Sequence, residues 1–385
     1  MEAMGENTGL SELNPGSGLI LVFALLALSS CIPDPVIAVF EPGDLRPPAV
    51  VSWGASGPAE IRVVFDEAVR ADPAAFDVAR RLTVQDGSTV DLPAETKTGL
   101  PSEAGSRPVL AVSVFSVSEG PTSEEVLVLL DGDQEPGVAY VLTGLVSDAA
   151  GNLSSFVLPY WGFNADPARL VINELLTEGS ASRPDAIEFF VRHGGNLAGL
   201  TLFIGSPGLH ELRYVFPACT VAEGEFIILH LKPQGLPEEI DELEDLALSG
   251  GIDASELARD FWVPGIPGSL SGKNGVVSLC VSPTGAIMDA VAYSERTSDS
   301  DTKYEGFGSA AFRERVGEIF AWGAWVIQGT TPRPEDCARS TGTTSTRTIC
   351  RSSDSVDTDS AGDWHIVPTR GISLGRPNSD EVHVP

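Results

Sequence analysis

Ile61-Arg62-Val63-Val64-Phe65, followed by Asp66-Glu67-Ala68-Val69, alternates apolar and polar positions and then meets a pair of acids. A period of two sets Ile61, Val63 and Phe65 on one side of a strand with Arg62 on the other, and the charged pair predicts a turn. Outward from this block the pattern repeats. Runs at 50–53, 82–84, 109–115, 125–130 and 139–145 are short, apolar or alternating, and bounded by Gly, Pro, Asp or Asn. Few segments have helical periodicity. Strands at this even spacing predict an all-β chain of sandwiches or barrels, in two consecutive units at 49–164 and 165–380.

The first unit resembles bacterial Ig-like domains of surface and S-layer-type proteins. The resemblance is carried by Phe65-Asp66-Glu67-Ala68-Val69, by Gly137-Val138-Ala139-Tyr140-Val141-Leu142, and by Val146-Ser147-Asp148-Ala149-Ala150-Gly151-Asn152. In the last of these Asp148 is expected to close a terminal turn by accepting from local amides. The resemblance implies a spacer or binding module.

The second unit carries an ordered set of strand motifs. They are Leu170-Val171-Ile172-Asn173-Glu174-Leu175, Asp185-Ala186-Ile187-Glu188-Phe189-Phe190, Leu197-Ala198-Gly199-Leu200-Thr201-Leu202, Gly224-Glu225-Phe226-Ile227-Ile228-Leu229 and Gly275-Val276-Val277-Ser278-Leu279. Met288-Asp289-Ala290-Val291-Ala292-Tyr293 follows, and Arg347, Arg351, Asp363-Trp364 and Gly375-Arg376-Pro377-Asn378 close the unit. This order resembles the lamin tail domain, an Ig-like sandwich that implies an interaction module. Together the two resemblances imply two consecutive Ig-like β-sandwiches. Two insertions, near 232–268 and 296–344, lengthen it.

At the other end, residues 19–31 read Leu-Ile-Leu-Val-Phe-Ala-Leu-Leu-Ala-Leu-Ser-Ser-Cys. The apolar run is too short for a permanent span of a roughly 30 Å hydrocarbon layer but fits the h-region of a signal peptide. Leu28-Ser29-Ser30-Cys31 resembles the lipobox. That resemblance implies a lipoprotein signal peptide over 1–30, lipidation of Cys31 and a place in the bacterial cell envelope. The alternative is a cleaved signal in which Cys31 has no part. Residues 31–48, with Pro33, Pro35, Pro42, Pro47 and Pro48, read as a tether.

Composition narrows the partners. With 54 acidic against 24 basic residues the net charge is −30, a field that repels phosphate backbones, so nucleic acid is not an expected partner. Cys219, Cys280, Cys337 and Cys350 have no zinc spacing. In an exported chain they are candidates for disulfides, with Cys337–Cys350 and Cys219–Cys280 as the expected pairs; otherwise they are buried small hydrophobes.

Candidate chemistry is sparse. The lamin tail resemblance implies that Asn173 and Glu174 lie where the first strand meets its neighbours, with Glu188 nearby, either as a structural network or as a paired-carboxylate acid–base site. Gly371-Ile372-Ser373-Leu374-Gly375 has the nucleophile-elbow spelling without its strand–turn–helix context. Gly306-Phe307-Gly308 precedes a helix expected at 310–320, yet no apolar strand leads into it. Asp131-Gly132-Asp133 and Asp299-Ser300-Asp301 alternate acids as calcium loops do, without the full twelve-residue pattern. The acid-rich run 238–245 predicts a short amphipathic helix over the sandwich, with a solvated acidic face or a docking role for a basic partner. Trp364 is expected in the core. No metal, cofactor or catalytic residue is expected. The reading is a lipid-anchored envelope protein, not an enzyme, that binds protein or glycan. Its rival is a secreted hydrolase or nuclease-accessory protein whose site is built by the insertions.

Overall fold

Alternation at Ile61, Val63 and Phe65 does bury one face, and it continues through Val69, all four residues being at most 2% exposed. The expected turn at Asp66-Glu67 is instead the middle of a strand, Glu60–Ala71. Its first half pairs with Ser123–Leu130, its last residues pair with Ala139–Ser147, and the register slips between Val64 and Val69. The acids mark a corner where one strand passes from one layer to the other. Asp66 fits there because its carboxylate accepts from the Ala49 amide at 2.7 Å and from Arg46 at 2.6 Å, so a charged residue interrupts neither layer.

The computed structural model describes residues 44–83, 89–90, 109–115, 123–265 and 267–384. Cys31, the signal segment and most of the tether lie outside the described residues. In the first sandwich one layer holds Val50–Gly57, the start of Glu60–Ala71, Ser123–Leu130 and Val109–Phe115; the other holds Asp77–Arg80, Ala139–Ser147 and Leu153–Trp161. Val63, Val126 and Val128 from one meet Val78, Leu142 and Tyr160 from the other in a single core. Asp148 closes the turn before Leu153–Trp161, accepting from the Asn152 amide at 2.8 Å and side chain at 2.6 Å.

The second sandwich packs a six-stranded sheet on a five-stranded one. The six-stranded order is Arg259–Trp262, Phe226–His230, Ala186–His193, Arg169–Leu176, Ile349–Cys350 and His365–Ile366. The five-stranded order is His210–Val215, Thr201–Gly205, Gly275–Cys280, Ile287–Ser294 and Ala338–Arg339. The inward residues of both sheets form one core with Phe312, Val316 and Ile319 of the helix Ala310–Ala321, which Ser309 caps by accepting from the Phe312 amide.

The two segments expected as insertions, 232–268 and 296–344, have the same structural use. Arg259–Trp262 lies parallel to Phe226–His230, and Ala338–Arg339 lies parallel to Ile287–Ser294. A parallel neighbour cannot be reached by a hairpin and needs a crossover of about a dozen residues or more. Each insertion contains such a crossover, and each ends by covering a sheet edge.

Between the sandwiches, the Asn164 side chain donates to the Asn196 and Ala198 carbonyls, both at 2.9 Å. Gly137 (φ +71°) faces Gly199 so closely that a Cβ on Gly137 would stand 2.4 Å from the Gly199 nitrogen. Backbone meets backbone at this junction, and any side chain at 137 would separate it.

Candidate functional site

Glu174 and Glu188 are directly opposite each other on neighbouring antiparallel strands. A register shift between Ile172 and Glu174 turns them together onto the outer face of the six-stranded sheet, while Ile172, Leu175, Ile187 and Phe189 remain in the core. That outer face is sealed by the segment from Gly371 to Asn378. Glu174 accepts from the Thr348 hydroxyl, from the Ser373 amide at 3.2 Å and from the Ser373 hydroxyl at 2.7 Å. Glu188 accepts from Asn173 Nδ2 at 2.8 Å and from the Gly375 amide. Leu374 packs beside Ala186 and Ile228. The Gly-x-Ser-x-Gly segment is therefore a strap whose polar groups hold two carboxylates, with Ser373 as a donor to Glu174.

Both carboxyls are fully buried. Burial raises the pKa of Glu174 against the pull of its Thr348 and Ser373 donors. Glu188 is raised well above the ordinary carboxylate range, first by burial and then by the charge of Glu174. Sequence reasoning placed these residues together; what it missed is the strap that covers them.

A second buried group joins the two sheets. The Arg351 guanidinium, fully buried, binds both oxygens of Asp289 at 3.1 and 3.2 Å, donates to the Ile172 carbonyl at 2.7 Å and reaches Asp357 at 3.0 Å and Asp363 at 3.2 Å. It also lies 4.6 Å from the centre of the Trp364 ring, which is 7% exposed and belongs to the core as expected. Burial pushes Asp289 up to about 7, while Arg351 pulls it back. The sequence signal was present in Met288-Asp289-Ala290-Val291, an acid inside an apolar strand that must find a cation.

A third pair was not foreseen. His230 Nε2 meets Asp260 Oδ1 at 2.9 Å, and the imidazole stacks on Trp262 with ring centres 4.0 Å apart. Asp260 also accepts from the Ser255 amide at 2.7 Å, and His230 is 2% exposed. Asp260 thus ties the edge strand Arg259–Trp262 to its inner neighbour through His230 and to the crossover through Ser255.

The expected disulfides are not formed: Cys219, Cys280, Cys337 and Cys350 are all free and buried. Cys280 belongs to the five-stranded sheet and Cys350 to the six-stranded one, while Cys219 precedes Thr220–Val221 and donates to the Leu243 carbonyl at 3.1 Å. Cys337 follows the short turn Pro334–Asp336, in front of a strand on the sheet opposite Cys350. The thiols behave as small hydrophobes, and burial pushes Cys280 up to about 12.

Among the described residues, carboxylate oxygens of three residues come within 4.8 Å of one another in two groups, Asp44–Glu67–Asp148 and Asp289–Asp357–Asp359. Arg351 already binds Asp289 and Asp357 of the second, and Asn152 engages Asp148 in the first. Of the two loops with calcium-like alternation, Asp301 accepts from the Tyr304 and Gly308 amides and so orders its own turn. In the other, the Gln134 amide donates to the Pro58 carbonyl at 2.6 Å.

The acidic run is no helix. Residues 236–250 form an irregular closed loop whose ends meet where the Gly250 amide donates to the Glu238 carbonyl at 2.8 Å. Acids inside the run hold it in place. Glu239 accepts from the amides of Gln234, Gly235 and Leu236, and buried Glu242 accepts from those of Leu248, Ser249 and Asp260. With their carboxylates bonding nearby amides, these residues offer the backbone an alternative to a helical ladder.

The family model TP_1001_2nd, described as "protein second domain", matches residues 168–366, most of the second sandwich. An uncharacterized protein of Treponema pallidum (strain Nichols) is 37% identical over 159 residues, which is 41% of this chain and 39% of that protein. The match thus spans well under half of the relative's length. Among solved structures, the N-terminal part of the bacterial S-layer protein SbsC aligns over 64% of this chain and 43% of its own, at 14% identity and a TM-score of 0.23. Domains 1–6 of the same S-layer protein align over 61% of this chain and 39% of their own, at 12% identity and again 0.23.

Proposed function

The chain belongs to the TP_1001 second-domain family, and from that premise we propose that it is a non-catalytic, lipid-anchored protein of the bacterial cell envelope that acts as an interaction or scaffold module. The second sandwich is read as a domain of the lamin tail type, and the first as an Ig-like spacer carrying it away from a lipid on Cys31. The observation that supports a binding role is how the polar groups are used. Glu174, Glu188, Asp289, Arg351, His230 and Asp260 are each at most 2% exposed and committed to chain segments that they hold together. General acid–base chemistry needs such groups within reach of a substrate proton. In contrast, the loop over one edge of the second sandwich presents ordered side chains to solvent.

Two measurements test this reading. Cys31→Ser should leave an unprocessed precursor and abolish partitioning into a detergent phase; unchanged processing and membrane retention would remove the anchor from the proposal. A plasmid-nicking assay with Mg²⁺ and Ca²⁺ should detect no turnover, and nicking lost in Glu174→Gln or Glu188→Gln would replace the binding role with a hydrolytic one.

A further inference from the structure

The loop 236–250 carries Leu236, Ile240, Leu243, Leu246 and Leu248, exposed by 40, 45, 42, 40 and 53%. Single exposed leucines are ordinary, but several within one short closed loop mark a surface that gains by being covered. The loop is also held rigidly. Besides the bonds made by Glu239 and Glu242, Asp241 accepts from the Trp262 amide at 2.8 Å, and buried Arg259 donates to the Glu242 carbonyl at 2.6 Å from beneath. A surface ordered before binding loses little conformational freedom when a partner arrives.

Charge selects the partner. Glu238, Glu244 and Asp245 are exposed around these aliphatic side chains, and among the described residues no cation pairs with their carboxylates. Arg259 is spent beneath the loop on Glu225 and on backbone carbonyls, and Lys232 is spent on Asp185 at 2.8 Å. A second copy would bring the same acids against themselves, and an anionic lipid surface would meet both these acids and the net charge of −30.

We propose that the 236–250 loop is the docking surface for a cationic amphipathic segment of a partner protein, whose apolar face covers Leu243 and its neighbours while its Lys or Arg side chains meet Glu238, Glu244 and Asp245. This rests on the reading of the chain as an interaction module and names the chemistry of the partner.

The test uses the full chain and two labelled peptides of equal charge, one of lysine and leucine at helical spacing and one with serine replacing leucine, titrated by fluorescence anisotropy at about 150 mM salt. The leucine peptide should bind at least about tenfold more tightly, the effect of covering one or two aliphatic side chains. Leu243→Ser/Leu246→Ser should bring the two peptides within about twofold of each other, and Glu244→Gln/Asp245→Gln should weaken both. Equal binding of the two peptides, or a preference that survives the leucine substitutions, overturns the proposal. So does self-association, or capture by anionic vesicles, that the leucine substitutions abolish, since either result gives the surface to another occupant. Such failures leave the module reading standing, because that reading fails by turnover and not by peptide affinity.

Discussion

Arg351 and Glu188 hold their segments by opposite electrostatic routes. Arg351 is a buried charge neutralised by Asp289, Asp357 and Asp363, so removing it strands Asp289 without a cation. Arg351→Ala should cost about 3–5 kcal/mol of unfolding free energy, whereas Arg351→Met combined with Asp289→Leu should cost clearly less, because the fully buried carboxylate that Arg351→Ala strands is removed with it. Urea titrations of the two variants measure the difference. Burial, and then the charge of Glu174, disfavours the ionised form of Glu188 in the fold. Its pKa is raised in the folded protein, so the stability it contributes is fully present below the unfolded value near 4.5 and is lost as pH rises above it. Glu188→Gln should therefore gain stability relative to the parent as pH rises from 5 to 8; a difference that stays flat with pH would show that Glu188 is ionised in the fold. Trp364 adds an apolar contribution under Arg351, and Trp364→Ala should lower stability by roughly 3–5 kcal/mol.

Strands and loops add constraints that single residues do not carry. The Gly137–Gly199 approach leaves no volume for a methyl group, and Gly137 has φ +71°. Gly137→Ala should destabilise by roughly 1–3 kcal/mol, and limited proteolysis should cut faster near Asn164, where the sandwiches meet. The strand Glu60–Ala71 illustrates how elements exceed local pattern. Its apolar alternation was legible in sequence, but acids at 66 and 67 looked like an end because turn chemistry is local, while the partners that let the strand continue, Ala49 and Arg46, are a separate segment. The acidic run at 238–245 misled in the same way. Its spacing of Ile240, Leu243 and Leu246 suits a helix, yet the carboxylates of Glu239 and Glu242 bind amides and hold an irregular loop.

At the scale of the whole molecule, the four thiols separate two views of the chain. The fold is held by its cores, its polar pins and its covered sheet edges, with Cys219, Cys280, Cys337 and Cys350 free inside it. Alkylation without reductant should modify few of these cysteines in the native protein and all of them after denaturation; protection that persists in denaturant and yields only to reductant would establish a disulfide. By itself the sequence determined the all-β class, because apolar periodicity is a property of neighbouring positions and one buried face is enough to express it. It also determined that Trp364 is buried and that Asp148 closes a turn, both legible from short motifs. Only the tertiary structure decided what the buried acids do. Ser373 reaches Glu174 across 199 residues and Arg351 reaches Asp289 across 62, so whether a carboxylate becomes a reactive group, a metal ligand or a pin depends on which distant segment comes to cover it. That choice is made by the packing of sheets and insertions, through desolvation and hydrogen bonding at separations where no local pattern operates.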